Sequence, residues 1–290
     1  MSAFTLHTSG GPVGAEITGL DVSEPVDGPV FSEIEAALDR YSVVVIRDQV
    51  LTGRQMADFS RQFGAPQINV RAEANNDDAP EVFWVSNITR DGKPVGSHDA
   101  GRYWHFDLCY LEKPSKLTLL NALEVPEKDG IVYGDTQFVG AAAAYDALSD
   151  AMKARLEGLK AANSYRDMWN RKAREFGVRP MLSEEELAKY PPDAIHPVVR
   201  THPRTGRKCL YICDGYTTRI LGIPEAESMA LLRELFAHVV KPEFLYRHRW
   251  RVGDLLMWDN CAVQHKATFD YAPPLRRLMQ RCTIEGEIPV

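Results

Sequence analysis

The sequence lacks long hydrophobic runs, a basic surplus and a secretory start. Its longest aliphatic run is Val43–Ile46, whereas a helix that crosses a bilayer needs roughly 20 apolar residues, so we expect no membrane span. The opening residues MSAFTLHTSGG have no basic start followed by an apolar core, so no signal peptide is expected. The 34 Lys and Arg residues against 40 Asp and Glu give a net charge of −6. This balance argues against sequence-independent nucleic-acid binding, which needs a basic face.

Cysteine is also scarce, and its placement is informative. The chain has an odd number of thiols and no Cys-x-x-Cys pair. Such a scattered set is typical of reduced thiols rather than of a disulfide framework. We therefore expect a cytoplasmic protein. The five positions are Cys109, Cys209, Cys213, Cys261 and Cys282.

What is present is the composition of a globular protein, with 290 residues of which 44% are hydrophobic. Short apolar segments bounded by turn residues alternate irregularly with a few helical segments, which does not fit a parallel α/β fold. The pattern predicts a mostly β protein, a sandwich or barrel core with peripheral helices. The predicted strands are Ser42–Arg47, Val82–Ser86, Tyr103–Tyr110, Leu117–Leu123, Lys208–Cys213, Tyr246–Arg251, Asp254–Trp258 and Gln280–Glu285.

Three helices are predicted from their starts and their apolar spacing. Ser32-x-x-Glu35 reads as a capping box. Thr52-x-x-Gln55 reads as a second capping box, followed by a helix that Gly64 ends. A long amphipathic helix fits Glu225–Val240.

The segment Gln67–Gly101 is the least patterned part of the chain and holds one short strand. Long irregular segments in compact domains are commonly lids or binding loops and less commonly disordered. Because this segment directly precedes the chemical motif described next, we favour a lid.

The first chemical motif is His-x-Asp, formed by His105 and Asp107. On the predicted strand, residues i and i+2 point to one face, so an imidazole and a carboxylate project together. They are two of the three ligands of an iron site built from two histidines and one carboxylate. A structural or surface pair remains the alternative, since chance gives on the order of 0.5 such pairs in this composition.

Two further segments carry candidate groups. His265 follows the predicted strand Asp254–Trp258 through a turn, and Arg277 and Arg281 lie four residues apart before the chain ends. Even spacing lets both arginines face one side of a strand, and a buried arginine needs an anion. A solvated basic edge is the alternative.

Taken in order, these motifs resemble one known family. The sequence contains HxD at His105, GDT ending at Thr136, WDNxxxxH ending at His265 and RRxxxR ending at Arg281. With this order the chain resembles the taurine dioxygenase (TauD/TfdA) family of iron(II)- and 2-oxoglutarate-dependent dioxygenases. Similar stretches recur along nearly the whole chain: Gly14–Gly19, Arg47–Gln49, His196–Pro203, Gly215–Ile220 and Lys241–Phe244.

The resemblance implies a fold, a site and a reaction. The fold would be a single domain, residues 1–290, with a double-stranded β-helix (jelly-roll, cupin-like) core. His105, Asp107 and His265 would bind Fe(II), while Arg277 and Thr136 would hold the distal carboxylate of 2-oxoglutarate, a bidentate task suited to guanidinium. With O2, 2-oxoglutarate would be converted to succinate and CO2 while an unactivated C–H bond is hydroxylated. Desaturation or cyclisation in a biosynthetic pathway is the alternative outcome, and a homodimer or homotetramer is implied.

The resemblance says less about the substrate, which we expect to be a small anionic molecule such as a sulfonate, a carboxylate or an amino-acid-like compound. Arg281 matches an arginine that meets an anionic head group, with a structural salt bridge as its alternative, and Tyr216 matches an aromatic pocket position. Arg102 and His98 are nearby candidates, for which surface or core roles stay open. Taurine itself is not expected, because Gly101 replaces an asparagine of the taurine-oxidising members.

Two other classes of function remain open. The same His-Asp-His site could hold zinc for hydrolysis or structure, or the fold could bind a ligand without catalysis. Arg277 together with Thr136 discriminates against the zinc hydrolase, which has no use for a buried 2-oxoglutarate anchor.

Overall fold

The computed structural model describes residues 3–68, 75–76 and 78–290. Its strands are β1 (Thr5–Thr8), β2 (Ala15–Thr18), β3 (Val43–Ile46), β4 (Asn75–Asn76), β5 (Ala79–Ser86), β6 (Thr89–Arg90), β7 (Lys93–Pro94), β8 (Ser115–Glu124), β9 (Glu127–Lys128), β10 (Ile131–Val132), β11 (Thr136–Gly140), β12 (Lys160–Asn163), β13 (Ala194–Pro197), β14 (Val199–Thr201), β15 (Lys208–Leu210), β16 (Thr217–Ile220), β17 (Leu245–His248), β18 (Leu255–Asp259), β19 (Val263–Ala267) and β20 (Leu278–Glu285). Its helices are α1 (Gly28–Tyr41), α2 (Gly53–Arg61), α3 (Ala141–Asp146), α4 (Asp150–Leu156), α5 (Tyr165–Phe176), α6 (Glu184–Leu187) and α7 (Glu225–Val239).

Two sheets position the site. The main sheet has the strand order β1-β2-β3-β18-β8-β20-β5-β4, and a smaller sheet has the order β17-β11-β19. Neighbouring strands are antiparallel except β2 and β3, which run parallel. Strand β3 is apolar at every position because both of its faces are buried, as expected for a central strand.

The space between the two sheets is filled by one apolar cluster. Phe138 of β11 and Val263 of β19 pack there against Leu256 and Trp258 of β18 and Met279 of β20. Side chains that interdigitate from two facing sheets are the core of a β-sandwich. The mostly β prediction with peripheral helices is therefore confirmed.

The helices cover the outside of this sandwich. Ile34 of α1 and Met56 of α2 belong to one apolar cluster with Val44 and Ile46 of β3, on the opposite face of the main sheet. The helix predicted over Glu225–Val240 agrees with α7 to within one residue at its end.

Capping explains where the first two helices begin. The Thr52 hydroxyl accepts from the Gln55 amide at 3.2 Å and the Gln55 side chain accepts from the Thr52 amide at 2.9 Å, so the predicted capping box is confirmed. The Ser32 prediction is wrong: Asp27 accepts from the Val30 amide at 2.9 Å, and Ser32 lies inside α1. An acidic cap followed by a proline in the first turn is the stronger start signal.

Some strand predictions also need correction. Tyr103–Tyr110 is not a strand; only His105 forms an isolated bridge, and Leu108 has a left-handed φ of 56° that breaks any extended run. The segment predicted over Lys208–Cys213 is strand only at Lys208–Leu210. The segment predicted over Tyr246–Arg251 is strand at Leu245–His248.

Part of the predicted lid falls on residues 69–74 and 77, which lie outside the described residues. The rest is more regular than its composition indicated. Strand β5 belongs to the main sheet, β6 and β7 form a hairpin, and Ser97–Gly101 reaches the candidate site. A lid role for this segment stays a prediction.

The structure shows the state of the cysteines and the character of the helices. All five cysteines are buried and unpaired by disulfides. Within the described ranges, no helix has the length and apolar character needed to cross a membrane.

The capping geometry of α1 makes a stability prediction. Replacing a capping Asp by Ala leaves a helix-terminal amide without its partner, so Asp27→Ala should lower the free energy of unfolding by about 1 kcal/mol. Ser32→Ala is the matched control and should change it by less than about 0.5 kcal/mol. Urea denaturation followed by circular dichroism measures both, and an equal effect of the two variants would contradict the assigned helix start.

Candidate metal centre and its surroundings

His105 and His265 are brought together by reciprocal backbone hydrogen bonds. The His105 amide donates to the His265 carbonyl at 3.1 Å, and the His265 amide donates back at 2.9 Å. The two ring centroids are consequently 4.1 Å apart. With Asp107, their nitrogen and carboxylate oxygen atoms all lie within 4.8 Å of one another, and all three residues are buried.

Asp107 is held in place by a side-chain network from the turn between β18 and β19. Asn260 accepts from the Asp107 amide at 3.2 Å and donates to the Thr118 hydroxyl at 2.9 Å. Thr118 in turn donates to the Asp107 carboxylate at 2.7 Å. Sequence reasoning gave no role to Thr118, because its contact with Asp107 depends on strand packing that no local pattern reveals.

The hydrogen bonds of His105 fix its tautomer. Its Nδ1 lies 2.9 Å from the Tyr103 carbonyl and 3.0 Å from the His265 carbonyl, and both are acceptors. Nδ1 must therefore carry a proton, and Nε2 faces Asp107 at 3.6 Å. A ligating histidine that donates its other N–H to a carbonyl is the usual arrangement at protein metal sites.

His265 is placed by aromatic packing and by its strand. It pairs with Phe138 across β11 and β19, and the two rings stack with centroids 5.9 Å apart. Trp258 packs against it at 4.7 Å between centroids. Its Nε2 lies 3.9 Å from the Asp107 carboxylate. Two imidazoles and one carboxylate on one side are the ligand set of non-haem iron enzymes.

The electrostatics favour the ligating protonation states. Burial raises the pKa of Asp107, but Arg281 at 3.5 Å and the two histidines outweigh it, so the pKa lies well below its usual range. Burial and the neighbouring His105 hold the pKa of His265 well below its usual value. At neutral pH the site therefore offers a carboxylate and neutral imidazole, the forms that bind metal.

Thr136 and Arg277 lie beside a common residue, Trp250. The Trp250 indole donates to the Thr136 hydroxyl at 3.1 Å, and the Arg277 guanidinium carbon lies 5.7 Å from the Trp250 ring centroid. Arg277 is fully buried, which lowers its pKa, and Tyr271 only partly offsets this. Its Nε has no hydrogen-bond partner within the described part of the chain. Such a buried cation needs an anion, as a carboxylate ligand would supply.

A cavity of about 90 Å³ lies over the triad. Arg281 and Tyr216 both line it, and the Tyr216 ring is 6.1 Å from the His105 ring. Arg102 lines a smaller adjoining cavity and also a separate one, where its guanidinium lies over Phe176 and Phe269. His98 is exposed and lines none of these cavities.

Three charged residues that sequence reasoning missed also line the cavity over the triad. They are Asp99, Lys172 and Arg179. Lys172 donates to the Asp99 carbonyl at 2.8 Å, and Arg179 Nε donates to the Asp99 carboxylate at 2.8 Å. Both cations belong to α5 or the chain after it, where basic residues are usually solvated. No sequence signal separates them from the other basic residues of that helix.

Comparison with known proteins identifies the family. The family model described as "Taurine catabolism dioxygenase TauD, TfdA family" matches residues 5–283. The chain is 34% identical over 283 residues to the alpha-ketoglutarate-dependent 2,4-dichlorophenoxyacetate dioxygenase of Cupriavidus pinatubonensis, which covers 93% of each chain. It is 32% identical to the pentalenolactone F synthase of Streptomyces arenae, over 94% of this chain and 92% of that one.

A solved structure agrees with these relatives. The crystal structure of AAD-2 in complex with Mn(II) and N-oxalylglycine superposes with a TM-score of 0.82 and 31% identity, covering 99% of this chain and 98% of that one. The family implies 2-oxoglutarate, a metal ion and O2 as the reaction partners. The chain therefore belongs to the TauD/TfdA family and is an oxidoreductase, a 2-oxoglutarate-dependent dioxygenase.

Proposed function

We propose that this enzyme uses Fe(II) and O2 to couple the conversion of 2-oxoglutarate into succinate and CO2 to the hydroxylation of a C–H bond in a small anionic substrate. The observation that carries the proposal is the buried convergence of His105, Asp107 and His265, with ligand atoms within 4.8 Å of one another. The metal and the cosubstrate supply the oxidative chemistry, while the protein supplies binding and orientation.

The donor set supports Fe(II) at this site. Two imidazole nitrogens and one carboxylate fit the three-ligand arrangement of iron oxygenases, which leaves positions for cosubstrate and O2. A structural zinc site has four protein ligands, and within the described residues this cluster has three. A catalytic zinc site also has three protein ligands, so the ligand number alone does not separate zinc from iron. Arg277 and Thr136 make that distinction, because they suit a 2-oxoglutarate cosubstrate.

Arg277 and Thr136 suit the distal carboxylate of 2-oxoglutarate. A guanidinium offers two parallel N–H donors to a carboxylate, and Arg277 is buried with its Nε unpartnered among the described residues. Because Trp250 already donates to the Thr136 oxygen, the hydroxyl proton of Thr136 stays available for a carboxylate.

Arg281 is the residue we assign to the anionic group of the substrate. In the structure it lies 3.5 Å from Asp107, in the cavity over the triad. A metal bound by Asp107 would take up that carboxylate's charge and leave the guanidinium to a substrate anion. Tyr216, Tyr110 and Tyr165 line the same cavity and offer an apolar wall to the body of the substrate.

Desaturation or cyclisation is a second candidate outcome at the same site. A relative that is 32% identical over 94% of this chain is named as a synthase, pentalenolactone F synthase. Because these outcomes begin at the same metal and cosubstrate, the product rather than the site distinguishes them.

We further infer one jelly-roll domain across residues 1–290, a cytoplasmic location and a homodimer or homotetramer. The two facing sheets support the fold, and the five buried free thiols fit a reducing compartment. The oligomer rests on the family resemblance, and light scattering of the purified protein tests it.

The cosubstrate assignment predicts opposite outcomes for neighbouring arginines. Arg277→Met should raise the KM for 2-oxoglutarate roughly 100-fold, because charged hydrogen bonds to the carboxylate are lost. Arg276→Met is the matched control, because Arg276 is exposed and pairs with Glu124 on the surface. The KM of this variant for 2-oxoglutarate should stay unchanged. Succinate formation measures both, and an unchanged KM in Arg277→Met would overturn the assignment.

The substrate assignment makes a separate prediction. In a screen of carboxylates, sulfonates and amino acids, a substrate should stimulate O2 consumption by wild-type enzyme. Arg281→Met should lower that stimulation at least 10-fold while leaving the binding of 2-oxoglutarate unchanged, because it removes the cation that meets the substrate anion. Equal turnover of an anionic substrate and its neutral amide would contradict the anionic class.

A further inference from the structure

A second cavity, of about 210 Å³, lies apart from the candidate metal centre. Its walls come from α1, the start of β8, the chain after β14 and the turn between β18 and β19. It shares no lining residue with the cavity over the triad. Nothing in the proposed reaction uses it.

A buried, unpaired arginine lines this cavity. Arg200 is only 3% exposed, and within residues 3–68, 75–76 and 78–290 its side chain forms no hydrogen bond or salt bridge, its Nε being fully enclosed without a partner. The face of Tyr211, 4.7 Å from the guanidinium carbon, gives only partial compensation. A buried guanidinium with no hydrogen-bonded counter-anion is costly to maintain, so this geometry favours an anionic ligand.

The carboxylates around Arg200 are mostly engaged by other groups. Glu35 and Asp39 both pair with Arg204. Asp259 accepts from His202 at 2.6 Å, and although it attracts Arg200 electrostatically it forms no salt bridge with it.

Two further charged residues complete the lining. Glu287 is exposed, and Lys116 is half-buried. Neither forms a salt bridge within the described part of the chain. Lys116 therefore adds a second cation to the one supplied by Arg200, and Glu287 adds one exposed carboxylate, neither of them held in a salt bridge among the described residues.

The same wall cannot hold a cation in the usual way, although His202, Asp259 and Cys261 are close enough to one another to bind one. His202 Nδ1 accepts from the amides of Arg204 at 3.2 Å and Thr205 at 3.1 Å, so its proton sits on Nε2 and points at Asp259. His202 therefore offers no free imidazole lone pair to a cation. Burial raises the pKa of the Cys261 thiol well above its usual value.

The rest of the lining is apolar and comes from Leu38, Phe63, Pro114, Leu117 and Pro203. We propose that this cavity binds a small organic carboxylate, whose charged group pairs with Arg200 and Lys116 and whose apolar body packs against Leu38 and Phe63. A volume of about 210 Å³ is below that of pockets for drug-sized ligands, which fits a ligand of the size of benzoate.

Calorimetric titration with benzoate tests the proposal on enzyme loaded anaerobically with Fe(II) and saturated with 2-oxoglutarate, so that the cosubstrate subsite is filled. Wild-type enzyme should bind benzoate at one site that does not require Arg281. Arg200→Met should weaken binding at least 10-fold and Lys116→Met should weaken it several-fold. Benzyl alcohol, which has the same ring without the carboxylate, should give no binding at the same concentration.

Arg281→Met is the control, because its side chain belongs to the other cavity, and it should leave benzoate binding at the second cavity unchanged. If Arg200→Met fails to fold, the half-buried Lys116→Met still carries the test. Absence of binding to wild-type enzyme, wild-type affinity in Lys116→Met, or loss of binding only in Arg281→Met would each overturn the proposal. Equal binding of benzyl alcohol would show an apolar site and would overturn the carboxylate class.

Discussion

A carboxylate buried between two sheets has to be matched by positive charge and hydrogen-bond donors, and the organisation around Asp107 follows from that requirement. Its carboxylate meets Thr118, Arg281 and the two histidines. Each of those groups lies on a different strand or turn, so their contacts with this one carboxylate hold the two sheets together near Asp107. A buried charge left without such partners would cost several kcal/mol, which makes the network a condition of folding as well as of chemistry.

The packing of the two sheets against each other makes the site rigid. Strand β19 carries His265 between Phe138 and Trp258, and the backbone bridge from His265 fixes His105 on a segment that has no regular structure of its own. Sites held by packed strands and supporting hydrogen bonds keep their geometry better than sites on free loops. The cavity residues from α5, in contrast, reach the site from outside the two sheets.

Sequence reasoning succeeded where the signal was local or depended on motif order. The all-apolar β3 and the Thr52 capping box follow from neighbouring residues, and both are confirmed. The three proposed ligands were found by motif order, and the structure brings them together. The strand predicted around His105 was wrong because periodicity does not register the left-handed turn at Leu108. Trp250 was missed because its contact with Thr136 spans 114 residues.

The most direct test of the account is an anaerobic titration of the metal-free enzyme with Fe(II) and 2-oxoglutarate, followed in the visible spectrum. If His105, Asp107 and His265 hold the metal and Arg277 anchors the cosubstrate, a weak metal-to-ligand charge-transfer band should form in the wild-type enzyme. It should be absent in His105→Ala and should need much more 2-oxoglutarate in Arg277→Met. A folded enzyme that binds metal but gives no band, or a band that is unchanged in His105→Ala, would contradict the central claim.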